Sequence, residues 1–412
     1  MQGLLPRPIL TRLDALIDRK RIGVYALILI GLYVAAFIAI FATSPHLIDR
    51  FGKPVGYDFM AFYAGSDMVL HGQVNQLWTQ TDIVAREQAL LPGNRSMLFW
   101  HYPPTFALLV APLALAPYLL SYLLWTVLSA GLYLAFVRSV VKDRLALIVA
   151  LAAPAAFLNA VHGQNAFLST ACLGFGLLMI ERRPWLAGVI LGLLVSKPHF
   201  ALLLPLLLAV GGRWKTFLTT AATAAGLMAL SYAVFGLEPW LAFIHNLPVA
   251  PRVLEEGSVP WAQVPSLFVA LRWLGVAQPL AYAGQALMAL FAVALAVIVW
   301  RGKAAQDLKA AMAVAATLMV TPYFFDYDLT LMAVPLAILA RHGLEHGLPP
   351  GVKAAMTLAF LMPLVGLGVG IAFSIQLMPL GLMALLWASW TTARAGVATE
   401  PAGVLVSASS RF

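Results

Sequence analysis

The chain has 412 residues, of which 62% are hydrophobic and 10% charged, whereas an ordinary soluble domain carries about 25% charge. This excludes a water-soluble globular protein and makes the expected fold class an all-α polytopic membrane protein. The formal net charge of +9 marks no nucleic-acid partner, because the lysines and arginines fall in short clusters between apolar runs, as orientation signals do. The single cysteine, Cys172, allows neither a disulfide framework nor a cysteine metal site within one chain.

In chain order, a basic stretch with Arg7, Arg12, Arg19, Lys20 and Arg21 precedes the apolar run 22–42. That run exceeds the apolar core of a secretory signal, about 7 to 15 residues, and approaches the roughly 20 that span a bilayer. It reads as an uncleaved first helix. Further apolar runs lie at 117–137, 145–160, 165–181, 185–196, 199–211, 215–235, 277–300, 306–321, 327–340, 353–371 and 375–392, predicting about 12 transmembrane helices. With the N-terminus cytoplasmic, the inner side receives Arg138, Lys142, Arg144, Arg182, Arg183, Arg213, Lys215, Arg301, Lys303, Lys309, Arg341, Lys353, Arg394 and Arg411. The positive-inside rule then holds along the whole chain and places both termini in the cytoplasm. Residues 1–395 read as one transmembrane domain and 396–412 as a flexible cytoplasmic tail.

Two outer segments, 43–102 and 236–276, are too long for tight turns, and their aromatic content argues against disorder. The first runs into "HYPPTFALLVAPLALAP" (101–117), which predicts a helix at the membrane interface. Polar breaks on the same side, "FWHYPPTF" (99–106), "VHGQNA" (161–166), "SKPHF" (196–200) and "TPYFFDYDLTL" (321–331), predict one outer polar patch. Ionisable groups at membrane depth cost about 2.5 to 3.5 kcal/mol or more each, so such a cluster is a functional hypothesis by default.

Lys197, ahead of the helix-breaking Pro198, is a candidate phosphate ligand beside freed backbone amides; the alternative is a lysine snorkelling to the interface. His199 either donates a second hydrogen bond or caps a helix start. His101 and Tyr102 either contact substrate or, with Pro103 and Pro104, build a rigid turn. Gln164 and Asn165 carry amides suited to sugar hydroxyls or simply to a solvated turn. In "FDYD", Asp326 and Asp328 have the look of a metal-binding pair, yet Asp326 can equally cap the next turn, and no metal site is assigned. Asp58 and Asp67 in "VGYDFMAFYAGSDMVLHGQ" lie nine positions apart, about 180° out of phase on a helix. Asp58 is thus a cap or an exposed catalytic acid, and Asp67 a solvated or structural residue.

The runs "YDFMAFYAGSDMVLHGQ", "LFWHYPPTFALLVAPLALAPYLLSYLLW", "GQNAFLSTACLGFGLL", "WLAGVILGLLVSKPHFALLLPLLL", "VPSLFVALRWLG" and "TPYFFDYDLTLMAVPLAIL" together resemble glycosyltransferase family 87, the membrane proteins related to mycobacterial polyprenol-phosphate-mannose-dependent mannosyltransferases. The resemblance covers residues 20 to 395. It implies a GT-C-type fold with interfacial helices on the outer face of a bacterial plasma membrane, a donor sugar carried on a polyprenyl phosphate, and a glycolipid or glycan acceptor. Residue by residue, it puts the catalytic aspartate on Asp58, a donor-phosphate contact on Lys197, and matches the "YPP" element at Tyr102 to Pro104 and the amide pair at Gln164 and Asn165. Beside these, the residues themselves make His199 and Arg252 further candidate phosphate contacts, and Tyr63, His101, Tyr102, Gln164, Asn165, Asp326 and Asp328 candidate sugar or acceptor contacts. Where the family often carries a late histidine, this chain reads "FDYD".

Chemistry points the same way. A phosphate-linked sugar leaves without a protonating acid, so one carboxylate base suffices where glycoside hydrolysis generally needs two. No nucleotide-binding loop, cofactor motif or metal cluster is found. The competing expectation is a multi-pass transporter or flippase, for which short helices broken by proline near a polar site are also usual.

Overall fold

The protein, seen in a computed structural model, is described over residues 11–12 and 14–398 and is 77% helical, with no strand among the described residues. Helix α1 (Arg19–Ala42) starts where the Asp18 side chain accepts a hydrogen bond from the Arg21 amide at 2.8 Å, an N-cap. The long segment after α1 folds into α2 (Phe59–Leu70) and α3 (Gln80–Leu90), and α4 (Pro104–Val110) opens on the second proline of "YPP", where a missing N–H costs nothing. After α5 (Tyr118–Val140), helices α6 (Arg144–Leu151) and α7 (Pro154–His162) bend by 55°. Pro154 enforces that break by denying the helix a donor and crowding the preceding turn.

Helices α8 (Ala166–Met179), α9 (Pro184–Gly192) and α10 (Leu204–Val210) are short, and two 3₁₀ turns, Leu193–Ser196 and Pro198–Phe200, lie between α9 and α10. Then come α11 (Trp214–Phe235), α12 (Glu238–Asn246), α13 (Val249–Glu255), α14 (Leu267–Trp273), α15 (Gln278–Arg301), α16 (Gln306–Val320), α17 (Ala333–His346), α18 (Val352–Phe373) and α19 (Met378–Ala398).

Five of these, α1, α5, α11, α15 and α18, are long and apolar enough to cross a membrane, or six spans if the bent α6–α7 pair is one. Helices α8, α9, α10, α16 and α17 have 14, 9, 7, 15 and 14 residues, short of the roughly 20 that cross a bilayer as one straight helix, so five or six of the expected twelve meet the length criterion among the described residues. Hydropathy alone does not separate spans from buried helices, because an apolar helix facing protein reads like one facing lipid. In α16, every residue from Ala310 to Met319 is buried, as befits a helix hydrophobic all round. Helix α19 continues to Ala398, and the rest of the expected tail, residues 399–412, lies outside the described residues.

Close helix approach rests on small residues. Gly188 and Gly192 of α9 face α11 so tightly that a Cβ on Gly188 would lie 2.5 Å from the Thr219 Cβ and 2.8 Å from the Thr216 carbonyl oxygen. Those contacts include backbone and cannot yield cheaply. Gly131 on α5, by contrast, has nothing within 4 Å of such an atom. Gly188→Leu is expected to cost about 1 to 3 kcal/mol through overpacking, lowering the thermal midpoint in detergent, while Gly131→Leu leaves it unchanged or raised; equal effects would contradict this packing.

Candidate active site

One cavity of about 750 Å³ gathers the polar breaks, within the size range of small-molecule sites. Its polar wall includes Asp58, His101, Tyr102, His162, Gln164, Lys197, His199, Tyr327 and Asp328, and its apolar wall Phe37 and Ile40 of α1 with Phe243, Leu247 and Leu254 of α12 and α13.

Asp58 immediately precedes α2. The chain ahead of it is pinned by the Tyr118 hydroxyl, which donates to the Val55 carbonyl at 2.7 Å, and turns at Gly56, whose φ of +72° favours glycine. Its side chain makes no helix-cap hydrogen bond, which removes the cap reading. Instead, Oδ2 is 3.1 Å from His162 Nδ1 and accepts from Gln164 Nε2 at 3.3 Å. Both partners come from the end of α7, where Gly163 adopts φ +65° and the Tyr122 hydroxyl and Trp125 indole hold the Ala160 and Gly163 carbonyls. The Gln164 carbonyl oxygen in turn accepts from the Tyr102 hydroxyl at 3.1 Å.

Lys197 stands between two 3₁₀ turns with φ −140° and ψ 68°, a break set by the following proline. Its Nζ donates to Asn165 Oδ1 at 2.7 Å and to Asp328 Oδ1 at 2.5 Å, with side chains only 7% and 2% exposed. This is a buried ion pair, so the snorkelling alternative is excluded. An ammonium has three donors, and these two bonds leave one. Asp328 Oδ2 also accepts from the Phe325 amide.

Other expected site residues fall elsewhere. Tyr63 does not line the cavity: it donates to the Ala116 carbonyl and packs on Phe59 and Tyr118. Arg252 is exposed on α13 and outside the lining, because it occupies the helix face turned from the cavity. Asp326 is fully buried behind the wall, with Oδ1 accepting from the Tyr327 amide and Oδ2 unpartnered. Asn165 acts through Lys197. The two aspartates of "FDYD" diverge, and no group of three His, Cys, Asp or Glu able to hold a metal exists among the described residues. His199 does not cap: its Nε2 is buried without a partner and its ring lies 4.2 Å from that of Phe200. Of the two readings for Asp67, solvated or structural, the structural one holds: it pairs with Arg86 of α3.

Two site residues escaped the sequence. His162 sits inside the quoted "VHGQNA" run, yet its contact with Asp58 spans 104 positions. Glu87 of α3, in the outer loop, is fully buried; Oε2 accepts from the Leu98 amide at 3.3 Å and Oε1 has no partner. It thereby holds the segment that brings Leu98, His101 and Tyr102 to the cavity.

Burial pushes the Glu87 carboxyl up from 4.5 to about 8, with nearby Asp58 adding to the rise and the Leu98 amide opposing it. The folded state thus keeps a proton that the unfolded chain has released, so stability falls as pH rises from about 4.5 to about 8 and levels above that. In detergent the melting midpoint should decline between about pH 5 and pH 8, and Glu87→Gln should flatten that decline; identical slopes would show that Glu87 does not carry it.

Comparison with known proteins returned no match among curated proteins and none among solved structures. A family profile described as Glycosyltransferase family 87 matches residues 100–322, a stretch that includes Tyr102, Gln164, Asn165 and Lys197 and leaves Asp58 and Asp328 outside it. The match agrees with the resemblance read from the six sequence runs, and the chain belongs to glycosyltransferase family 87.

Proposed function

We propose that this membrane glycosyltransferase moves a hexose, mannose by family resemblance, from a polyprenyl-phosphate donor to a hydroxyl of an envelope glycolipid or glycan. The reaction takes place at the outer face of the bacterial plasma membrane, with both termini cytoplasmic. The observation that carries this reading is the union, in one cavity, of a carboxylate and a lysine tied through the adjacent amides of Gln164 and Asn165, facing an apolar wall.

The apolar side, formed by α1, α12 and α13, suits a prenyl chain. Its phosphate meets the remaining N–H of Lys197, with His199 Nε2 as a second contact. The acceptor oxygen attacks the anomeric carbon as Asp58 takes its proton. The bond from that carbon to the phosphate oxygen breaks, and its electron pair leaves on the phosphate, which Lys197 stabilises. A single displacement inverts the anomeric centre. Tyr102, Gln164 and His101 border the space left for the sugar.

Purified protein incubated with labelled polyprenyl-phosphate mannose and an envelope lipid extract should yield a labelled glycolipid. Asp58→Asn is expected to lower turnover by about 10²- to 10⁴-fold, the usual contribution of a positioned base. Undiminished transfer would remove Asp58 from the mechanism, and absence of transfer by wild type from any polyprenyl-phosphate sugar would overturn the donor class. Lys197→Ala should chiefly weaken donor use; since it also strands Asp328 in a buried site, Lys197→Ala/Asp328→Asn serves as the folding control.

A further inference from the structure

His162 lies beside Asp58, and nothing so far accounts for its position. It closes α7 at the glycine turn, lines the cavity, and is only 12% exposed against 16% for the Asp58 side chain. Its Nδ1 is 3.1 Å from Asp58 Oδ2, the same oxygen that accepts from Gln164. The ring is boxed between Tyr57, edge-on at 5.9 Å, and Tyr327 at 5.5 Å. Two donors on Oδ2 leave Oδ1 as the carboxylate oxygen free for a hydroxyl.

We infer that His162 is a positioning residue: its Nδ1–H anchors Oδ2 of Asp58 so that Oδ1 faces the acceptor hydroxyl. This deepens the proposed function and rests on Asp58 being the base. An aspartate side chain rotates about two bonds, and one hydrogen bond leaves it a swing about that contact. Two donors flanking the glycine turn at one helix end remove the swing. Gln164 alone supplies a single contact to Asp58 through Nε2, its Oε1 being the acceptor for the Tyr102 hydroxyl.

Two substitutions separate this role from a merely structural one. His162→Ala should lower kcat by about 10- to 100-fold, the scale of a misplaced catalytic group, with donor KM changed less than about threefold. His162→Asn, whose amide can donate from near the place of Nδ1, should recover most of that loss. Full activity in His162→Ala, or an asparagine variant as poor as the alanine one, would overturn the inference.

A measurement independent of turnover accompanies these. In protein with ¹⁵N-labelled histidine, the His162 signal, identified by its loss in His162→Asn, should report the Nδ1-protonated tautomer and revert toward the Nε2-protonated form in Asp58→Ala. An Nε2-protonated ring in wild type would overturn the inference even if no donor sugar is ever transferred. Conversely, inactivity of wild type with every polyprenyl-phosphate sugar, beside an Nδ1-protonated His162, would sink the donor reading and leave the pairing intact.

Discussion

The buried ion pair between Lys197 and Asp328 is the contact around which the rest of the site is arranged. An ammonium and a carboxylate removed from water each lose several kcal/mol of solvation, and the pair is tolerable only when its remaining hydrogen-bonding capacity is met. Here Asn165 and the Phe325 amide supply much of that capacity. Removing one partner would strand the other at a cost of about 3 to 5 kcal/mol. The pair therefore locks together three breaks that lie far apart in the chain, Lys197 being 32 positions from Asn165 and 131 from Asp328. It serves as a structural staple first, and its one remaining donor is the one that the proposed function assigns to a phosphate.

Those breaks follow from backbone chemistry. In a lipid environment irregular backbone survives only where protein buries it or where it lines a cavity, so the places where proline and glycine interrupt the helices are the places where a polar site can form. Gly163 shows how tightly this is drawn. Besides its φ of +65°, a Cβ there would sit 2.6 Å from the Cβ of Phe59, the residue next to Asp58. Any side chain at this turn would thus separate the end of α7 from the start of α2. The meeting of Asp58 with Gln164 and His162 depends on a glycine that has no chemistry of its own. Thr330, which donates to the Ala155 carbonyl at 3.1 Å, ties the segment after Asp328 to the same helix.

Much of the polar wall was legible because ionisable residues stand out in an apolar chain. Asp58, Lys197, Gln164 and Asp328 were all marked by their surroundings rather than by any motif, and the expected outer patch corresponds to the cavity lining. The errors have physical sources. Tyr63 and Arg252 lie in the right segments but on the wrong helix faces, and a face is decided by tertiary packing. Which of the two readings of Asp67, solvated or structural, holds is decided only when α3 brings Arg86 against it. Glu87 is polar, on a polar helix, in a long loop; nothing local says that the loop buries it. Apolar runs do not by themselves tell spans from buried helices for a related reason, since burial in protein and burial in lipid favour the same side chains. Helix α16, with five alanines between residues 310 and 316, shows the ambiguity at its sharpest.

The distribution of charge narrows the chemistry further. Among the aspartates at the site, Asp328 is committed to Lys197, and Asp326 is buried behind the wall with one oxygen on a backbone amide. Asp49, also part of the lining, accepts from the amides of Phe51 and Lys53 within its own turn. Asp58 alone of these is held by side chains from another helix while bordering the cavity, and neither a lysine nor an arginine neutralises it. A second carboxylate poised as a proton donor to the leaving group is missing from this arrangement, which is consistent with a leaving group that needs no proton. A phosphate meets that condition and an alcohol does not, which is why the charge pattern supports the proposed donor. It leaves the choice of acceptor to the outer segments around Tyr102 and α12, where the cavity is bounded by loops rather than by charge.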